Sequence, residues 1–235
     1  HVVKCMTAGE RHARANLEGG RVLATDPAVA GAAGVDAGFS FNERRNLRAP
    51  DISVGVGTTP GWMREAPPLA VEYADVGQDE PELQRKIREM LAAGTRVFWV
   101  VRLTGALRVE VYAGGEAMRV VEADGELTAP GILRNAVPVR ALVDARAADA
   151  ATLRNLLNAH GYESLDAVRD EGLRLGEFAG QLKGQMMMLI GVLRARGWTL
   201  TPSLKARIED CRDPAQLQRW VMQAVTADSV EAALD

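Results

Sequence analysis

Val97-Phe98-Trp99-Val100-Val101 is an almost unbroken apolar run of strand-forming residues. A strand that alternates apolar and polar residues can face water on one side. An unbroken one needs cover on both, so this segment reads as a central strand between two layers. Two neighbouring stretches do alternate. Ile52, Val54 and Val56 interleave with Asp51, Ser53 and Gly55, and Leu69, Val71 and Tyr73 interleave with Ala70, Glu72 and Ala74. In each strand the apolar members bury one face and the acid points to the other. If the strands pair, Asp51 and Glu72 meet on one side of the sheet.

The elements around them complete the pattern. Residues 2–17 read as a helix, Gly19-Gly20 as a turn, Arg21–Thr25 as a short strand and Val35–Phe41 as another. The next helix is well signalled: Asp79 caps it, Glu82 completes a capping box, Pro81 suits the first turn and Gly94 closes it. Leu83, Ile87, Met90 and Leu91 form its buried stripe. At about 100° per residue Lys86 falls beside that stripe, so its stem can lie on the sheet while its ammonium reaches the acids. Leu107–Tyr112 and Ala117–Glu122 form a hairpin about Gly114-Gly115. The order of helix, strands, helix, strand and hairpin implies an α/β fold: a mixed sheet flanked by helices, not a repeating barrel.

Composition shifts near residue 145, giving a core over 1–145 and an all-helical C-terminal module over 146–235. In that module Glu171–Arg196 reads as one long helix, with Gly176, Gly180 and Gly184 explained by close helix packing and Met186-Met187-Met188 as core. Thr201-Pro202, Asp213-Pro214 and Asp228-Ser229 open three shorter helices.

Bulk properties narrow the function. A net charge of −3 and a pI near 5.8 argue against tight non-specific binding of long DNA through a wholly basic surface. Arg44, Arg45 and Arg48 still offer a local basic patch beside Asp51, with a solvated loop the equal alternative. Cys5 and Cys211 fit no zinc or redox spacing, so reduced thiols in a soluble cytoplasmic protein are expected. No secretory leader shows in the first residues, and the longest apolar run, Met186–Leu193, falls far short of the roughly 20 residues that span a bilayer. The chain opens on His1, as expected of a piece of a longer protein or one with an added terminus. Walker, dinucleotide-binding and Ser-His-Asp patterns are absent, and His1, His12 and His160 suggest no shared site.

Asp51, Glu72 and Lys86 remain as the chemical signal. Two carboxylates with a nearby ammonium are what metal-assisted phosphodiester hydrolysis requires: oxygen ligands for a hard cation, and a positive group to orient water and offset developing charge. Each residue also has a plainer reading. Asp51 can be a turn acid after Pro50, and Glu72 an acid on a solvated sheet face. Lys86 can be the partner of Glu82 four residues earlier, in a surface pair worth about 0.2–0.5 kcal/mol.

The stretch from about Gly34 to Leu142 resembles the Uma-type restriction endonuclease family of the PD-(D/E)xK nuclease superfamily. The resemblance is carried by Gly38-Phe39, Arg48-Ala49-Pro50-Asp51, Val71-Glu72, Lys86 ahead of Gly94, Val97–Val101, Val109-Glu110-Val111-Tyr112 and Pro130-Gly131. It implies a restriction-endonuclease-like core that binds and cuts DNA with Mg²⁺, Mn²⁺ serving as substitute. Asp51, Glu72 and the Tyr73 backbone carbonyl would be the metal ligands, and Lys86 would position the water. The superfamily often places its lysine two residues after the second acid; that position is Ala74, so Lys86 must serve. An additional acid on the first helix, Glu10 or Glu18, stays open. Cutting both strands usually recruits two sites, and the tail offers an amphipathic surface, so a homodimer is expected. The other reading is a catalytically weak or inactive nuclease-fold module that binds DNA or protein. The tail, through Leu204–Ile208 and Leu217–Trp220, is similar to the helical tail of transposase-associated nucleases, which implies a helical appendage and no second activity.

Overall fold

The computed structural model describes residues 9–41 and 46–235. It forms two compact units, His1–Glu163 and Ser164–Asp235. The first holds helix α1 (Glu10–Ala24), β1 (Ala33–Val35), β2 (Phe39–Phe41), β3 (Asn46–Arg48), β4 (Ile52–Val54), β5 (Leu69–Ala74), α2 (Glu80–Ala92), β6 (Val97–Arg102), β7 (Arg108–Ala113) and β8 (Arg119–Glu122). Short strands β9 (Glu126–Leu127) and β10 (Val137–Pro138), a 3-10 turn and α3 (Ala145–Ala159) complete it. The second unit holds α4 (Leu165–Ala195), α5 (Pro202–Glu209), α6 (Pro214–Thr226) and α7 (Val230–Ala233).

Six strands form one mixed sheet in the order β1-β4-β5-β6-β7-β8. The β5–β6 pair is parallel and the other neighbours antiparallel. The parallel pair is joined by α2, as such a connection requires. Side-chain alternation sorts the core into two layers. Ile52, Val54, Leu69, Val71, Tyr73, Trp99, Val101, Val109 and Val111 pack on the face shared with α1. Ala70, Ala74, Phe98 and Val100 face the opposite way, onto Leu83, Ile87 and Met90 of α2. The apolar run at Val97–Val101 is thus the covered central strand. The expected α/β architecture, with a helical C-terminal region, is the one observed.

Two local expectations are overturned. Gly19-Gly20 is no turn and Arg21–Thr25 no strand, because α1 runs unbroken through both glycines. A Cβ at Gly19 would overlap the Tyr73 hydroxyl, so this glycine lets the helix approach the sheet. The expected helix over 2–17 lies partly outside the described residues. The Val35–Phe41 segment breaks in two: Val35 pairs with Ile52 of β4, whereas Phe39 pairs with Arg48 of β3. Between them Asp36 takes a positive φ of 51°, which bends the chain out of the larger sheet.

The compositional change near residue 145 precedes the division between units. Ala148 and Ala151 of α3 are buried in the first core, and Asn155 donates to the Val22 carbonyl of α1 at 3.0 Å. In the second unit Leu182, Leu189, Leu193, Ile208, Leu217 and Trp220 share a separate core. Side chains of Ser164, Thr201, Asp213 and Ser229 cap its helices. The packing explanation for Gly176, Gly180 and Gly184 fails, since nothing lies within 4 Å of where a Cβ would stand. Met186 joins that core, but Met187 and Met188 are exposed. No helix among the described residues is long and apolar enough to cross a membrane.

Candidate active site

Asp51 lies at the mouth of β4 and Glu72 one residue before Tyr73 on β5, the next strand. Because β4 and β5 are antiparallel with Ile52 opposite Val71, the two acids arrive at the same end of the sheet. The Tyr73 N–H donates to Asp51 Oδ2 at 2.7 Å, continuing the ladder through a side chain. The Ala74 carbonyl accepts from Leu103 on the β6 side. Backbone groups alternate in direction along a strand, so the Tyr73 carbonyl projects with its N–H toward Asp51.

Lys86 comes from α2 over the same face. Its Nζ donates to Glu72 Oε2 at 2.6 Å and to the Ala49 carbonyl at 2.8 Å. The surface pairing with Glu82 does not form; Glu82 instead engages Arg48 and Arg85. Arg48 donates to Glu82 Oε1 at 2.8 Å and Glu89 Oε2 at 2.6 Å, clamping the segment ahead of Asp51 onto α2. Of the basic patch, Arg48 is paired with two carboxylates, and Arg44 and Arg45 lie outside the described residues.

Burial raises the Glu72 carboxyl to about 7, with Lys86 opposing the rise and the charge of Asp51 adding to it. Asp51 and Glu72 are therefore near enough to repel each other. This donor chemistry fits a hard divalent cation: two carboxylates and a backbone carbonyl, all oxygen. Mg²⁺ commonly takes one or two carboxylates and keeps water or substrate phosphate in its other positions. No group of three or more His, Cys, Asp or Glu that could hold a metal ion occurs among the described residues.

The sequence reading missed His12. Its Nε2 lies 3.1 Å from Asp51 Oδ1, and its ring meets Tyr73 edge-to-face at 5.9 Å. The signal existed: Ala15, Asn16, Gly19 and Leu23 form the buried stripe of α1, and His12 heads it at helical spacing. Ending the helix at Gly19 hid that continuity. Of the two open acids, Glu18 pairs with Arg21 at 2.6 Å, while Glu10 stands exposed in the first turn.

The mixed sheet and its flanking helices define an α/β fold. A solved structure from Anabaena variabilis ATCC 29413, described as a candidate nuclease belonging to DUF820, shares that fold with a TM-score of 0.53 at 20% identity. The match covers 60% of this chain and 84% of that one. No protein-family profile matches the chain, and no curated protein does.

Proposed function

We propose that the first unit is a metal-dependent DNA endonuclease of the PD-(D/E)xK type, with Asp51, Glu72 and Lys86 as its reactive groups. The observation that carries this reading is their convergence: two acids from adjacent strands and an ammonium from α2 gather on one buried edge of a nuclease-like sheet. The candidate-nuclease description of the Anabaena structure agrees with it.

Asp51, Glu72 and the Tyr73 carbonyl would hold Mg²⁺ or Mn²⁺. The ion, when bound, lowers the pKa of attacking water and screens the scissile phosphate. Glu72 must lose its proton to act as a ligand, so burial makes its readiness sensitive to pH near neutrality. Lys86 has three N–H donors, of which Glu72 and Ala49 take two. The third is available to orient a water, and the charge offsets the negative charge that builds on phosphorus-bound oxygen.

The test is cleavage of a broad panel of DNA substrates with Mg²⁺ or Mn²⁺. Wild-type protein should cut; Asp51→Ala, Glu72→Ala and Lys86→Ala should not, while remaining folded by circular dichroism. Wild type that leaves every substrate intact refutes the reading and leaves a binding module. Double-strand cutting by paired sites further implies a homodimer, which a monomeric mass in solution would rule out.

A further inference from the structure

The geometry assigns His12 as a positioning residue of the site: its Nε2–H holds Asp51 Oδ1 while the Tyr73 N–H holds Oδ2. Helix α1 is then part of the active apparatus and not only a cover for the sheet. The consequence for metal binding rests on the function proposed above, whereas the orientation of Asp51 does not.

A carboxylate turns about its last torsion with a broad, roughly two-fold preference. One donor on one oxygen leaves that rotation loosely held. Here nitrogens from separate elements face separate oxygens: the Tyr73 N–H donates to Oδ2 at 2.7 Å, and His12 Nε2 lies 3.1 Å from Oδ1. The remaining lone pairs of Asp51 are left for a cation shared with Glu72. An ionised carboxylate only accepts, so the imidazole nitrogen facing it carries the proton. The same nitrogen cannot also ligate a metal.

The imidazole is itself held. Its ring meets the Tyr73 ring at 62°, and the Tyr73 hydroxyl donates to the Leu142 carbonyl at 3.0 Å. Gly19 is what leaves room for that hydroxyl beneath α1. His12 is mostly buried at this contact. A chain of fixed contacts thus runs from Leu142 through Tyr73 and His12 to Asp51. Hydrogen-bond partners of metal ligands typically matter by about 10–100-fold in affinity or activity.

Nitrogen-15 spectra of the imidazole test the contact without metal. Wild type should show the His12 proton on Nε2. In Asp51→Asn the amide oxygen must turn to the Tyr73 N–H, which presents the amide N–H to His12; Nε2 must then accept, and the proton moves to Nδ1. An unprotonated Nε2 in wild type, or an unchanged tautomer in Asp51→Asn, overturns the assignment. Mn²⁺ titration tests the consequence. His12→Ala should weaken Mn²⁺ binding about 10–100-fold, and His12→Gln, whose amide nitrogen reaches close to the Nε2 position, should recover most of it. Equal affinities for wild type and His12→Ala, or no recovery in His12→Gln, overturn the positioning role. A tautomer change on Asp51→Asn, with wild type that binds no Mn²⁺, supports the orientation of Asp51 and removes the metal reading alone.

Discussion

Glu72 and Glu110 stand in one row of the sheet on either side of Val100, and both point toward the α2 layer. Glu110 is saturated with donors: Arg102 reaches both its oxygens at 2.8 Å, and the Tyr112 hydroxyl adds a bond at 3.1 Å. Arg102 also grips Glu80 at the start of α2 through two bonds, which holds that carboxyl down at about 2. Glu72 receives an N–H from Lys86, with a weaker contribution from the Asp51 backbone, and faces a second negative charge at Asp51. Burial is similar, but the partners differ. A carboxylate met on both oxygens by a guanidinium fork is a strut between sheet and helix. One with fewer donors beside another acid, and with its pKa raised to about 7, is where the cation of the proposed function would bind.

The contrast breaks most visibly under mutation. Asp51→Ala or Glu72→Ala should reduce cleavage by roughly a thousandfold or more, since a metal's charge stabilisation is worth several kcal/mol. Urea denaturation should show a smaller loss, about 1–3 kcal/mol, from the Tyr73 N–H or the Lys86 ammonium left without its carboxylate. Arg102→Ala should weight the two effects the other way. It removes the close charge partner of Glu110 in a mostly buried setting and leaves only Arg108 at 3.9 Å, costing about 3 kcal/mol of stability, while protein that remains folded keeps its cleavage rate. If Arg102→Ala abolishes cleavage by folded protein, the two carboxylates do not divide the roles as described.

What the sequence disclosed follows the range of the physics involved. Periodicity is local, so the faces of Ile52 and Glu72 and the angle of Lys86 on α2 were readable, and the structure places them as expected. Capping is local too, as Asp79 and Thr201 show. Contacts between distant segments were not readable. Arg48 meets Glu82 and Glu89 across 34 and 41 residues, and nothing near Arg48 marks it as already neutralised. Gly19-Gly20 has a strong local preference for a turn. The close approach of α1 to Tyr73 overrides it, and with that misreading went His12.

The raised Glu72 pKa sharpens the comparison through pH. Because the folded pKa is raised, the folded state keeps a proton that the unfolded chain has already lost. The resulting stabilisation is complete below the ordinary value of 4.5 and disappears as pH rises to about 7. Glu72→Gln, a neutral isostere that still offers Lys86 an acceptor, should lack this slope. Without metal, its stability relative to wild type should climb through that window by on the order of 3 kcal/mol and level off above it. Adding Mn²⁺ at the upper end should restore wild type alone. Parallel stability curves for the two proteins would show that Glu72 is not strained by ionisation.

Tyr112→Phe probes the saturated side of the row with the smallest change. The hydroxyl gives Glu110 one of its three donors and accepts from Gln84 at 3.2 Å. Removing it leaves both Arg102 contacts in place, so the carboxylate stays charged and paired. The expected cost is about 1 kcal/mol, the usual net value of one hydrogen bond. Urea midpoints should fall slightly, while Mn²⁺ affinity and cleavage stay at wild-type levels. Val100 has only an apolar side chain, so no polar relay connects the Glu110 cluster to Glu72 along this row. A drop in Mn²⁺ affinity in a fully folded Tyr112→Phe protein would mean that the shared row carries influence from strut to site, and the separation between them would be lost.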